Sequence, residues 1–114
     1  MMAEMDREEG ALATAEAALA AAAGPLAAAI AAARGASAGS DAWISAQIAL
    51  SRYDQARAGL GIVIGRLAGL GPALDGLAAG QPVRARYDAL VRRADGLALA
   101  ADSVSSEAAR ALGG

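Results

Sequence analysis

Apolar residues recur at alternating intervals of three and four along three long stretches of this 114-residue chain, and this spacing constrains its fold more than any other feature. In the third stretch the series is Val83, Tyr87, Leu90, Ala94, Leu97, Ala101, Val104, Ala108 and Ala111. In the first it is Leu12, Ala15, Leu19, Ala22, Leu26 and Ala33, with Ile30 beside them. In the second it is Ala42, Ala46, Ala49, Tyr53, Ala56, Leu60, Val63, Leu67, Leu70, Leu74 and Leu77. Each series predicts a helix with one apolar seam, and no segment alternates as a strand would.

Two short turn sequences separate these helices. Gly35 opens the linker GASAGS, after which Ser40 or Asp41 can cap the second helix. The turn GQP at residues 80–82 places a proline at the first position of the third helix. The chain is therefore expected to form one domain, residues 1–114, with helices at about 3–34, 41–79 and 82–112. An all-α, antiparallel three-helix bundle with long coiled-coil-like helices is the simplest architecture that buries all three seams.

The stretch GLGIVIGRLAGLG, residues 59–71, is rich in glycine, yet the seam of the second helix passes through it without changing phase. Gly61, Gly65 and Gly69 are spaced four apart and share one stripe of that helix. We expect this stripe to let a neighbouring helix backbone approach closely. Gly71-Pro72 is expected either to kink the helix or to break it, leaving residues 73–79 as a short separate helix.

A transmembrane span and a dinucleotide-binding loop are both weaker interpretations of this stretch than a helix of the bundle. A transmembrane span needs about 20 apolar residues without charge, and Arg66 interrupts this one. The uncharged run at residues 17–33 is mostly alanine and contains Gly24-Pro25, so we expect no transmembrane span there either. A dinucleotide-binding loop needs a preceding strand, whereas the residues before Gly59 are strongly helical. The first ten residues are acidic where a signal peptide would be basic, and we expect no signal peptide in this sequence.

Composition excludes several kinds of chemistry. The chain has no cysteine and no histidine, which removes most zinc sites and most pairs of nucleophile and base. The net charge is −2 with both signs scattered, so there is no basic patch for nucleic acid. Asp88, Asp95 and Asp102 recur every seven residues, but successive members lie about 10 Å apart on a helix, too far to share one metal ion. We therefore expect no enzyme activity, no catalytic residues, no metal and no cofactor.

Large apolar residues outside the seams are the candidates for contact with a partner. Trp43 follows the first linker, where it can lock the turn or serve as an exposed aromatic anchor. On the second helix, four isoleucines widen the apolar face beyond one stripe: Ile44, Ile48, Ile62 and Ile64. The seams are rich in alanine, which buries little apolar area per residue. These features favour a homo-oligomer or a helical protein partner.

The stretch GSDAWISAQIALSRYDQAR contains the pattern G-S-x-x-W-x-x-A-Q-x-A-L-S followed by A-R. The matching residues are Gly39, Ser40, Trp43, Ala46, Gln47, Ala49, Leu50, Ser51, Ala56 and Arg57. In this pattern the chain resembles a group of uncharacterised, Ala-rich, helical bacterial proteins of the envelope or lipoprotein type. The resemblance covers about twenty residues convincingly and the rest only in helical character. The resemblance alone implies the periplasm or cell envelope, and it implies no activity.

Two functions are compatible with these observations. The first is a non-enzymatic structural or protein-interaction module built from helices. The alternative is an amphipathic protein that binds the surface of a membrane or an apolar granule. Helices of the second kind usually carry a cationic face, which is missing here.

Overall fold

The computed structural model describes residues 2–78 and 80–113 and forms a three-helix bundle. The helices are α1 (Met2–Ala33), α2 (Asp41–Leu70) and α3 (Pro82–Ala111), and the described residues contain no strand. Helices α1 and α3 run parallel to each other and α2 runs antiparallel to both, in a body of 57 × 20 × 17 Å. The predicted fold class is confirmed. Helix α1 was predicted at about 3–34 and begins and ends one residue earlier. Helix α3 was predicted at about 82–112, begins at the predicted residue and ends one residue earlier.

The second helix is shorter than predicted. It ends at Leu70, and the chain continues as a single 3₁₀ turn over Gly71–Leu74 instead of a helix to residue 79. Pro72 causes this ending, since it has no N–H to donate to the preceding turn and its ring clashes with that turn. The predicted break is therefore present at Gly71-Pro72, but a separate helix over residues 73–79 is wrong. Ala79 itself lies outside the described residues.

The turn between α1 and α2 depends on two glycines and one serine. Gly35 and Gly39 have φ angles of +76° and +86°, a region that residues with a Cβ rarely adopt. Ser40 is the cap of α2, because its Oγ accepts a hydrogen bond from the Trp43 backbone N–H at 3.3 Å. Of the two caps that the sequence allowed, the structure thus uses Ser40.

The core follows the predicted seams, with the largest fully buried side chains contributed by α1, α2 and the 3₁₀ turn: Met5, Leu12, Leu60, Leu67 and Leu74. The three interfaces are unequal, since α1 packs most extensively on α2 and least on α3. The inequality is visible in the seam of α3. Leu90, Ala94 and Ala101 are buried, whereas Val104 and Ala111 stay exposed although they continue the same series.

Ion pairs between helices fix the end of the bundle that contains the N-terminus. The Arg86 guanidinium of α3 lies 2.6 Å from the Asp6 carboxylate and 2.9 Å from that of Glu9 on α1. Arg93 pairs with Glu16 at 2.7 Å, further along the same two helices. The hydrogen bonds that Arg86 donates, first to Asp6 and then to Glu9, raise the pKa of Arg86 above its ordinary value.

Candidate interaction surfaces

Trp43 has a structural role in the bundle. It is half-buried beside the first turn, and its indole Nε1 donates a hydrogen bond to the Leu112 carbonyl oxygen at 3.3 Å. This bond joins the start of α2 to the end of α3. The indole therefore ties α2 to α3 and is not a free aromatic anchor, and this hydrogen bond does not reach the turn between α1 and α2 that Trp43 was predicted to lock.

Ile64 also belongs to the interior. Its side chain is half-buried and packs against the core, beside Leu67 and Tyr87 in a depression of about 140 Å³ between α2 and α3. Two of the five residues predicted for an interaction surface, Trp43 and Ile64, thus contribute to packing within the chain.

The other three isoleucines form an exposed line, which we call the α2 ridge: Ile44, Ile48 and Ile62. Their positions differ by four and fourteen residues, so they lie within about 40° of one another around the helix axis. Ile62 is the most exposed of them, at 61 %. Ser51 and Gln55 lie between the two ends of the ridge, which therefore presents two apolar points separated by a polar segment.

A shallow apolar groove runs beside the Ile62 end of the ridge. It has a volume of about 470 Å³, and α1 lines it with small side chains that include Ala11, Thr14 and Ala18. Ile62 and Arg66 line it from α2. Ile62 and Arg66 thus lie together at the edge of the groove, which is otherwise lined largely by alanine.

The glycine stripe does not lie at a helix contact. Gly61, Gly65 and Gly69 are exposed, and a Cβ added to any of them would have no atom of a neighbouring element within 4 Å. The prediction that they allow close helix packing is therefore wrong within this chain. The reason is rotational: the seam of α2 faces α1 and α3, and the stripe lies on the opposite side of the helix. Gly71 is the glycine in tight contact, since its added Cβ would lie 3.0 Å from the Tyr87 hydroxyl oxygen.

A second groove separates α1 from α3, and we call it the α1–α3 groove. It comprises two adjoining depressions of about 310 and 230 Å³, which share Ala23 and Val104. Tyr53 of α2 forms part of its floor, and the remaining walls are mainly alanine with a few aliphatic residues: Leu19, Leu26, Ile30 and Leu97. Arg34 and Glu107 stand at the end of the groove, near the C-termini of both helices.

One polar cluster links α2 to α3. The Ser105 hydroxyl donates a hydrogen bond to the Asp54 carboxylate at 2.6 Å, and Arg57 contacts Asp54 at 3.6 Å and Asp102 at 3.0 Å. Burial raises the pKa of the neighbouring Tyr53 hydroxyl above its ordinary value near 10. The cluster is a set of contacts that aligns two helices.

The acidic stripe of α3 lies where a solvated face was expected. Asp88 pairs with Arg84 at 3.4 Å, Asp102 pairs with Arg57, and Asp95 is exposed. Among residues 2–78 and 80–113, no group of three or more acidic, histidine or cysteine side chains is placed to hold a metal ion.

Helix α1 is long and apolar enough to cross a membrane, judged by length and composition alone. Only 17 % of its most apolar window is buried within the bundle, because alanines cover most of its outer face. Core helices of soluble proteins and signal sequences can be equally long and apolar, so length and composition are weak evidence for a membrane span.

Comparison with known protein families, with curated proteins and with solved structures found no match to this chain. The residues of the α2 ridge were predicted from the sequence. The α1–α3 groove was not predicted, because Val104 and Ala111 continue the seam of α3 and were expected to be covered.

Proposed function

We propose that this protein is a non-enzymatic helical module that binds another protein. The observation that carries the proposal is the α2 ridge, where β-branched side chains are held in water on a rigid helix. Single exposed aliphatic residues are common on protein surfaces. Here, however, Ile62 stands beside an apolar groove of about 470 Å³, and the two together make a continuous contact area.

The shape and chemistry of this area favour an amphipathic helix as the bound segment. A helix laid along a groove contacts it at intervals of three and four residues, which suits a long, shallow floor of alanine. Arg66 at the edge of the groove has its guanidinium half exposed and already contacts Glu8 of α1 at 3.0 Å. The partner is therefore expected to offer aliphatic side chains at the centre of the contact and polar groups at its rim.

Site-directed crosslinking tests this proposal in two steps. A photoreactive residue placed at position 48 or 62 of the full chain should crosslink to a protein in the host cell. The same residue at Ser106, which is exposed on α3, serves as the control position. The purified partner should then bind the wild-type chain, and Ile62→Glu should weaken that binding by about tenfold or more, since a charge at an apolar contact is costly to desolvate. Equal crosslinking at 62 and 106, or equal affinity of the variant, would contradict the proposal.

The alternative function, binding to a membrane surface or an apolar granule, is favoured by one observation. The outer face of α1 is long, apolar and little buried. The wild-type chain mixed with liposomes of neutral or anionic lipid would then float with them through a density gradient. A chain that remains at the bottom of both gradients, while the partner crosslinks at position 62, supports protein binding instead.

A further inference from the structure

We propose that two copies of this chain associate through their α1–α3 grooves, about a two-fold axis parallel to the bundle. The inference rests on the proposed function in one respect, that the chain is a module for assembly. It differs in naming the partner, a second copy, and in using the side of the bundle that lies away from the α2 ridge.

The single chain leaves part of the apolar seam of α3 uncovered. Val104 and Ala111 occupy seam positions of α3, yet Val104 is 37 % exposed and Ala111 is also exposed. Ile30 of α1, across the groove, is only half-buried. A seam of this period is complete when helices cover it on both sides. In this bundle α2 covers one side, and the side that faces the groove has no cover.

The charged residues at the end of the groove are complementary between two copies. Arg34 of α1 and Glu107 of α3 line the same end of the groove, and within residues 2–78 and 80–113 neither forms an ion pair. A two-fold axis parallel to the bundle places α1 of one copy opposite α3 of the other at the same height. Arg34 then faces Glu107 of the second copy, and the pair occurs twice. A closed, self-complementary contact of this kind is the commonest arrangement among homo-oligomers.

The face that contains the groove is large enough for a small dimer interface. The groove extends from Glu16 to Arg34, a rise of about 27 Å along α1. The bundle is 20 Å wide. Such a face presents about 500 Å² on each copy, or about 1,000 Å² for the pair, which reaches the lower limit for a specific interface. A reversible dimer of modest affinity is therefore expected.

The test uses charge reversal in the full chain. Wild-type protein should show a monomer–dimer equilibrium when sedimentation is measured at several concentrations in low salt. Arg34→Glu and Glu107→Arg should each raise the dimer dissociation constant by roughly tenfold, because each places two like-charged pairs across the axis. The two variants mixed in equal amounts should recover dimers. In the mixed dimer the introduced carboxylate at position 34 of one copy faces the introduced guanidinium at position 107 of the other, and the two unchanged residues pair in the second contact.

Mixing separates contact between copies from contact within one chain. If Arg34 and Glu107 acted within one chain, each variant would keep its like charges and mixing would restore nothing. Absence of recovery on mixing therefore overturns the proposed axis, and a wild-type chain that is monomeric at every concentration overturns the dimer.

A second pair of variants tests the apolar centre of the contact. Val104→Glu should abolish dimers while circular dichroism remains helical. Leu99→Glu should leave the dimer unchanged, because Leu99 is on the same helix, is 73 % exposed and faces away from the groove. Equal effects of the two changes would contradict the assignment. Crosslinking of a different protein at position 62 is unaffected by either result, so failure of the dimer and failure of the proposed function are distinguishable.

Discussion

At the scale of single residues, the side chains that matter most are polar groups placed against the core. Tyr53 is 4 % exposed, and burial raises the pKa of its hydroxyl. Glu8 is buried as well, and Arg66 of α2 binds both of its carboxylate oxygens at 3.0 Å. The buried hydroxyl and the buried ion pair can each be tested by substitution.

The raised pKa of Tyr53 predicts a loss of stability in alkaline solution. The neutral hydroxyl is favoured in the folded state, so its contribution is fully present below about pH 10, the unfolded value, and is lost as pH rises through the higher folded-state pKa. Urea unfolding at a series of pH values should therefore show a falling free energy of unfolding above about pH 10. Tyr53→Phe should reduce this fall. The chain has no lysine or cysteine to titrate in the same interval.

The Glu8–Arg66 pair predicts unequal costs for its two halves. Arg66→Met leaves a buried carboxylate without its cation and should cost about 1–2 kcal/mol, a range limited because water reaches the arginine side of the pair. Glu8→Gln removes the buried charge and leaves an arginine that water can solvate, so its cost should be smaller. Chemical denaturation measures both, and the double variant should be more stable than Arg66→Met alone. A double variant that is less stable would mean that the arginine stem and the carboxylate act independently.

At the scale of elements, α2 carries a conflict between its seam and its glycines. The seam keeps the segment helical as far as Leu70, since burial of Leu60, Val63 and Leu67 outweighs the low helix propensity of glycine. The glycine stripe contributes nothing to that burial because it faces water. Pro72 ends the helix, whereas the glycines of the stripe do not interrupt it.

Gly65→Ala should therefore stabilise the protein by about 1 kcal/mol, because it raises helix propensity at a position with open space around it. The melting temperature should rise by about 4 °C for a chain of this size. Gly35→Ala is the matched control, since its φ of +76° is strained for any residue with a Cβ, and it should lower the melting temperature. A lower melting temperature for Gly65→Ala would show that the stripe is covered by another molecule.

At the scale of the whole molecule, the three interfaces of the bundle are unequal. The contact between α1 and α2 is the most extensive, and that between α1 and α3, which includes ion pairs near the N-terminal end, is the least extensive and leaves a groove. The exposed surfaces of the chain follow from this inequality. They are the α1–α3 groove, where the third interface is incomplete, and the α2 ridge, whose Ile62 end lies beside the groove lined by α1.

Ile62→Glu tests the placement of the ridge in the free chain. Because Ile62 is exposed, the variant should keep its helical content and change the free energy of unfolding by less than about 0.5 kcal/mol. Val63→Glu, one residue further along and buried, should unfold the chain or nearly so. Circular dichroism with thermal melting distinguishes the two. Equal destabilisation by both changes would mean that Ile62 packs within the bundle.

The features that depend on neighbouring residues could be predicted from the sequence. The spacing of the seams predicted three helices, Gly35 and the linker after it predicted the first turn, and Pro82 predicted the start of α3. These follow from local geometry, since helix period, left-handed φ angles and the fixed φ of proline involve a few adjacent residues. The α2 ridge could be named in the same way, because a residue away from the seam is expected to face solvent.

How the seams meet depends on the arrangement of the three helices. This arrangement left Val104 of α3 exposed, turned Gly65 towards water, drew Trp43 and Ile64 into the bundle and paired Glu8 with Arg66. Each of these depends on the rotation and separation of helices that lie far apart in the sequence. A heptad pattern specifies which side of a helix is apolar, but the distance at which that side finds a partner is set by side chains on another helix. In this chain those side chains are mostly alanine, which brings α1 and α2 together and leaves α3 incompletely covered.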